Sequence, residues 1–262
     1  MDVPFSDLVP LYPLIVPFAL VLFRVVGLFT FVPVFSNTAI PGNIKILLAL
    51  AISVCVWGGA VGPHGAPLPV GLVGLAIAVI GELSVGMLIG LLTNLIFMGV
   101  QTGAHLVSQQ MGLAMAAVYD PMFDQQSTVV EQIAFWLALM IFLAMGGHRE
   151  LINALVQSFQ RVPLGRGLDP AIMLEVALGA MTSAFALAAR VGAPALVVFM
   201  LATLASGFVG KSMPQINIMS IGLGLNLVIG IMMISVCLTG WALVSQDAWQ
   251  GFFETLHQLF GG

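Results

Sequence analysis

This sequence predicts an all-α fold of six long, partly broken apolar helices arranged as helical hairpins, on three observations. Of its 262 residues 60% are hydrophobic and only 7% charged, with a mean hydropathy of +1.11; an ordinary soluble domain carries roughly 25% charge. The apolar residues fall into six blocks separated by breaks rich in Pro, Gly and polar residues. Helix-start signals stand directly in front of two of those blocks. A chain of this kind is expected in a membrane or in the core of a membrane-associated assembly.

The first block runs from Leu14 to Phe35, behind Asp2, Asp7, Pro4, Pro10 and Pro13 and with no basic residue before it. A cleaved signal peptide needs a positive leading region, so this block is expected to stay in the mature chain. The second block covers Ile44 to Val61 and the third Val70 to Val100. The fourth, Val129 to Met145, opens behind Thr128 with Glu131 three residues on, the capping-box spacing in which each side chain bonds the other's backbone N–H. Gly146-Gly147-His148-Arg149-Glu150 ends it. Leu151, Leu155 and Phe159 then recur at helical spacing as far as Pro163 and Gly165, which predicts a short amphipathic helix at an interface or against a partner. The fifth block, Ala171 to Phe208, begins behind Asp169 as N-cap with Pro170 in the first turn. The sixth runs from Ile216 to Val244.

At about 1.5 Å per residue the third and fifth blocks would reach about 46 and 57 Å, against a hydrocarbon core of about 30 Å. Either these helices tilt and break or part of the bundle stands outside lipid. Breaks are available at Pro17 and at Gly192 with Pro194, where freed backbone groups need protein partners. Gly58 with Gly62, Gly86 with Gly90 and Gly99 with Gly103 have the spacing that lets helices approach closely.

Charge and motif content exclude several function classes. A net charge of −4 with seven scattered Lys and Arg leaves no basic patch for nucleic acid. Lys45 and Lys211 on one side, against Arg149, Arg161 and Arg166 on the other, give too small a bias to orient the chain. Cys55 and Cys237 sit inside apolar runs and read as small buried hydrophobes. His64, His105, His148 and His257 are isolated, with no ligand spacing, so no metal and no cofactor is expected. No nucleophile elbow, Walker or dinucleotide motif is present, and Ser108 near His105 lacks an orienting carboxylate, so catalysis is not expected. Arg24, Glu82, Glu175 and Arg190 lie within apolar blocks, where a charge costs about 2.5 to 3.5 kcal/mol on insertion scales unless it pairs. Arg24, Glu82 and Arg190 suit helix packing or subunit interfaces; an alternative makes the chain a six-helix secondary transporter with Glu82 as proton carrier and Arg190 as anion contact. Glu175, a turn inside its helix start, is favoured there by the helix dipole.

Gln109-Gln110-Met111-Gly112-Leu113-Ala114-Met115-Ala116-Ala117-Val118-Tyr119-Asp120-Pro121 is unlike the rest of the chain. Met111 and Met115 among small residues would give a compact face of flexible thioethers that conforms to irregular surfaces. Gln109 and Gln110 add neutral hydrogen-bonding groups, and Asp120-Pro121 turns the chain. From these residues alone the loop suits two roles, a deformable pore seal or a connector packed on the bundle.

Gln110-Met111-Gly112-Leu113-Ala114 through Asp120-Pro121, then Gly147-His148 with Leu151-Ile152, Ser158-Phe159 and Pro163-Leu164-Gly165, resembles the FliR family of flagellar type III export-gate proteins. Arg24-Val25-Val26-Gly27-Leu28-Phe29 with Pro33-Val34-Phe35 and Ile40-Pro41, and Met213-Pro214-Gln215-Ile216-Asn217-Ile218 with Ile221-Gly222, resemble it too, in family order. The resemblance implies a FliP-like part over 1–169, with a plug loop at 106–127, and a FliQ-like hairpin and short tail over 170–262. It implies FliP-like, FliQ-like and FlhB-like partner subunits, unfolded flagellar proteins as cargo, and a place in the bacterial inner membrane within the flagellar basal body. The plug carries over onto Gln109, Gln110, Met111, Gly112, Leu113, Ala114, Met115, Val118, Tyr119, Asp120 and Pro121. Where the family often has aromatic residues this chain has Met115 and Val118, which implies a softer, aliphatic seal. The injectisome counterpart shares fold and most motifs; the Gly147-His148 pair and the short tail resemble the flagellar branch.

Overall fold

A computed structural model of the chain describes residues 12–36, 41–58, 71–113, 128–212 and 218–260. The described residues form eight helices and no strand: α1 (Tyr12–Phe31), α2 (Pro33–Ser36), α3 (Gly42–Val56), α4 (Gly71–Gln110), α5 (Val129–Ala144), α6 (Gly147–Arg161), α7 (Pro170–Ser212) and α8 (Ile218–Phe260). The all-α class is as expected. The count differs from six blocks because Pro33, which disfavours helical backbone at Val32 before it, splits α2 from α1, and because the amphipathic α6 stands as a helix of its own.

Both helix-start signals act as read. Thr128 and Glu131 form the full capping box of α5, and the Asp169 side chain accepts from Ala171 N at 2.9 Å as α7 begins. The helix ends were harder to see. α4 runs on to Gln110 and α8 to Phe260, beyond the apolar blocks. In the last part of α8 Ser245, Trp249, Phe252, Leu256 and Phe260 are buried while Gln246, Asp247, Gln250, Glu254, His257 and Gln258 are exposed. A polar outer face stops an apolar run but not a backbone.

The expected breaks at Pro17 and Pro194 do not occur; α1 and α7 run through them. Pro194 has no N–H for the Arg190 carbonyl one turn back, and beside it the Val191 carbonyl accepts from Trp241 Nε1 of α8 at 2.9 Å. A neighbouring helix thus supplies a donor where the proline disturbs the ladder.

The chain forms two compact units: one of Met1–Asn94, Gly146–Ala180 and Gly251–Gly262, the other of Leu95–Met145 and Met181–Gln250. In the first, α1 packs on α2 and α3, and α1 meets α4 backbone to backbone. A Cβ added to Gly90 would lie 2.6 Å from the Leu28 carbonyl oxygen, and one on Gly86 would strike the Arg24 carbonyl. α6 turns Leu151, Ala154, Leu155, Ser158 and Phe159 inward, and all five are buried within the chain. In the second unit Gly99 and Gly103 of α4 approach α7 in the same way: an added Cβ would lie 2.8 Å from the Ala184 carbonyl oxygen and 2.7 Å from that of Ala188, respectively. Phe97, Phe142 and Trp249 form an aromatic core with ring centroids 4.8 to 5.8 Å apart. Gly58, by contrast, has open space around it.

α4, α7 and α8 are long and apolar enough to cross a membrane, and α5 with α6 passes as one further bent span. Their 40, 43 and 43 residues correspond to about 60 to 65 Å, twice the hydrocarbon core. Much of that surface is apolar and uncovered: Leu72 is 87% exposed, Phe208 75% and Val236 73%. Water is a poor neighbour for such faces, which suit lipid or other subunits.

Because Gly86 sits against backbone that cannot move aside, Gly86→Val is expected to cost about 3 kcal/mol or more through overpacking. Gly207→Ala, with nothing within 4 Å of the added methyl, should be neutral or stabilise by up to about 1 kcal/mol through helix propensity. Melting of the detergent-solubilised chain, read by circular dichroism, separates the two.

Candidate functional site

Two polar constellations interrupt the apolar helices, one in each unit. In the first unit the Arg24 side chain is fully buried, yet its donors are met from several segments. Its Nε donates to Glu82 Oε2 of α4 at 2.5 Å, Nη1 to Ser158 Oγ of α6 at 3.0 Å and Nη2 to the Val162 carbonyl at 3.0 Å. The Phe159 ring lies 4.0 Å from the guanidinium carbon, a cation–π contact. Glu82, also fully buried, uses its other oxygen to accept from Gly165 N at 2.8 Å. Gly165 reaches that position with φ +82 and Gly167 with φ +63, and Gly167 lies so near Gly81 that a Cβ on Gly81 would be 3.2 Å from its Cα. The left-handed backbone favours glycine at both, and at Gly167 the close approach to Gly81 adds to that. A carboxylate held in this way is poorly arranged to carry protons, which counts against the transporter alternative. Arg190, the other residue of that alternative, is exposed on α7, and Glu175 is exposed near its start.

The second constellation stands at the two ends of the distinctive loop. α4 ends in a Schellman motif: Leu113 N donates to the Ser108 carbonyl and Gly112 N to that of Gln109, at 3.3 and 3.0 Å, with Gly112 left-handed at φ +77. Met111 is only 3% exposed and its side chain fills the notch left by Gly230 of α8, where any Cβ would meet the thioether. Leu223 of α8 closes on Gly112. Gln109 and Gln110 are exposed and Leu113 half-buried. Ala114, Met115, Val118, Tyr119, Asp120 and Pro121 lie outside the described residues.

Across the loop, His105 Nδ1 meets Glu131 Oε1 at 2.8 Å and His105 Nε2 meets Gln109 Nε2 at 2.8 Å. An ionised carboxylate only accepts, so Nδ1 carries the proton and Nε2 accepts from the Gln109 amide. The same Glu131 oxygen takes Thr128 Oγ1 at 2.7 Å and Thr128 N at 3.2 Å. His105 and Gln109 share a helix face at i,i+4 and Glu131 is a capping residue; each signal was visible, but their meeting was not. Ser108, buried beside them, donates its hydroxyl to the His105 carbonyl one turn back at 2.8 Å, not to a base. Among the described residues no group of three or more His, Cys, Asp or Glu could hold a metal.

The Arg24 network has a thermodynamic signature. Arg24→Leu leaves Glu82 buried and charged without its partner, an expected loss of about 3 to 5 kcal/mol. Arg24→Leu with Glu82→Leu should recover part of it, short of full recovery because Gly165 N keeps no acceptor. A double-mutant cycle on thermal melting in detergent measures the coupling; simple additivity would contradict a shared network.

A family model described as bacterial export proteins, family 1, matches residues 15–252. The chain is 28% identical to the flagellar biosynthetic protein FliR of Caulobacter vibrioides over 236 residues, 90% of this chain and 94% of that one. It is 25% identical to that of Bacillus subtilis over 260 residues, 97% of each. To that of Escherichia coli K12 it is 28% identical over 214 residues, 80% of this chain and 79% of the other. With the match running from α1 to the far part of α8, through both constellations and the loop between α4 and α5, the chain belongs to the FliR family of bacterial export proteins.

Proposed function

We propose that this chain is a non-catalytic subunit of the flagellar type III export gate, helping to form and plug a protein-conducting pore through the bacterial inner membrane for unfolded flagellar proteins. The single observation that carries this reading is the family match over residues 15–252, with relatives along nearly the whole chain that are named as flagellar biosynthetic proteins. Those names favour the flagellar branch over the injectisome one.

The geometry supports the same role. α4, α7 and α8 present apolar faces that neither the chain itself nor water can satisfy. FliP-like, FliQ-like and FlhB-like subunits, together with lipid, are the proposed cover, within the flagellar basal body. We read 1–169 as the FliP-like part and 170–262 as the FliQ-like hairpin and tail. The plug is assigned to Gln109 through Pro121. Met111 anchors its first end in the Gly230 notch, and Met115 and Val118 give the seal an aliphatic character. Ser108, spent on its own helix, supports a role without catalysis.

With the partner subunits co-expressed, deleting Gly112 to Ala117 is expected to make the membrane leaky to small ions and solutes; an unchanged leak counts against the plug. The purified chain alone is expected to take up no small solute. Uptake lost on Glu82→Gln would instead establish the transporter.

A further inference from the structure

The Arg24 and His105 networks differ in one respect that separates their roles. The first is dry: Arg24 and Glu82 are both fully buried, and losing one partner strands a charge. The second is wet. The His105 side chain is 44% exposed and that of Glu131 13%, so water can take over each bond as it opens. Yet its members link residues 26 positions apart in sequence, on either side of the 114–127 segment. Two of the contacts are local, the capping box of Thr128 with Glu131 and the i,i+4 pair of His105 with Gln109, so the bond from His105 to Glu131 is the one that joins the two ends. Here Glu131 Oε1 receives three donors, one from the last turns of α4 and two from Thr128 at the start of α5.

We propose that His105, Gln109, Thr128 and Glu131 form a clasp that sets the spacing of the loop's two ends and thereby positions the plug, a reading that rests on the plug assignment above. The first end is held independently by Met111 in the Gly230 notch and by Gly112 against Leu223, so the clasp refers the start of α5 to a point already docked on α8. Closing a loop costs chain entropy that grows with its length; a cross-link at the base removes that freedom from the loop's ends. His105 is here a positioning residue: it acts through the loop ends and not on the cargo.

The test uses the full chain co-purified with its gate partners in proteoliposomes, with carboxyfluorescein release as the leak probe. His105→Leu is expected to raise release several-fold, towards the level set by the Gly112 to Ala117 deletion. His105→Asn, whose amide N–H stands where Nδ1 stood, should restore a tight gate. Should His105→Leu fail to assemble, Gln109→Leu, an exposed position that removes only the outer bond, should give a smaller rise. Independently, spin labels on Gln110→Cys and Val129→Cys in a Cys55→Ser, Cys237→Ser background should show a broader distance distribution once His105 is Leu. A leaky deletion with tight His105→Leu and Gln109→Leu variants overturns the clasp alone, as does a spin-label distribution that His105→Leu leaves unchanged. A tight deletion overturns the plug reading instead.

Discussion

A guanidinium withdrawn from water must find acceptors, and in the first unit the fold is arranged around that demand at Arg24. The acceptors come from α4, α6 and the turn after α6. Satisfying them brings those segments to α1. Glu82 must in turn place its second oxygen, which draws in Gly165 N and with it the two left-handed glycines of the 163–169 turn. The small residues of α1 and α4 follow from the same demand. Helices linked by a short, direct ion pair must lie close, and Gly27, Gly86 and Gly90 allow carbonyls to sit where side chains would otherwise be. The amphipathic α6 contributes to the same demand, with Ser158 bonding the guanidinium and Phe159 stacking on it.

The second unit solves a different problem, that of long helices carrying polar or helix-breaking residues in an apolar setting. Pro194 is tolerated with a Trp241 donor beside it. Gly103 lets α7 approach α4, and the aromatic core of Phe97, Phe142 and Trp249 fixes α4, α5 and α8. The side chains His105, Gln109, Thr128 and Glu131 bond one another at the ends of the loop. Among the described residues neither unit covers the outer faces of its helices, which the proposed partner subunits and lipid would complete.

Features decided by neighbours in sequence could be read directly. Thr128 with Glu131 and Asp169 with Pro170 marked helix starts because a cap is satisfied within a few residues. The left-handed Gly112 is equally local and marks the end of α4. Pairings across 58 or 26 positions, Arg24 with Glu82 and His105 with Glu131, have no local signature. The charges were visible as costly; which group answered each depended on the tertiary fold. Met111 was read with Met115 as part of a compliant face, whereas the missing side chain at Gly230, more than a hundred residues on, gives it a socket.

One further consequence lies in the outer face of α8, mainly apolar from residue 222 to 244 and polar beyond. Asp247 and Glu254 stand on that polar face, and drawing either into the hydrocarbon centre would cost about 2.5 kcal/mol or more. The apolar stretch before them is about 35 Å long, against a hydrocarbon thickness of about 30 Å. An upright α8 would therefore have about 5 Å of vertical play before a carboxylate is pulled under. The two acids act as a float line, limiting how far a partner could draw this subunit through the bilayer towards the apolar end of α8.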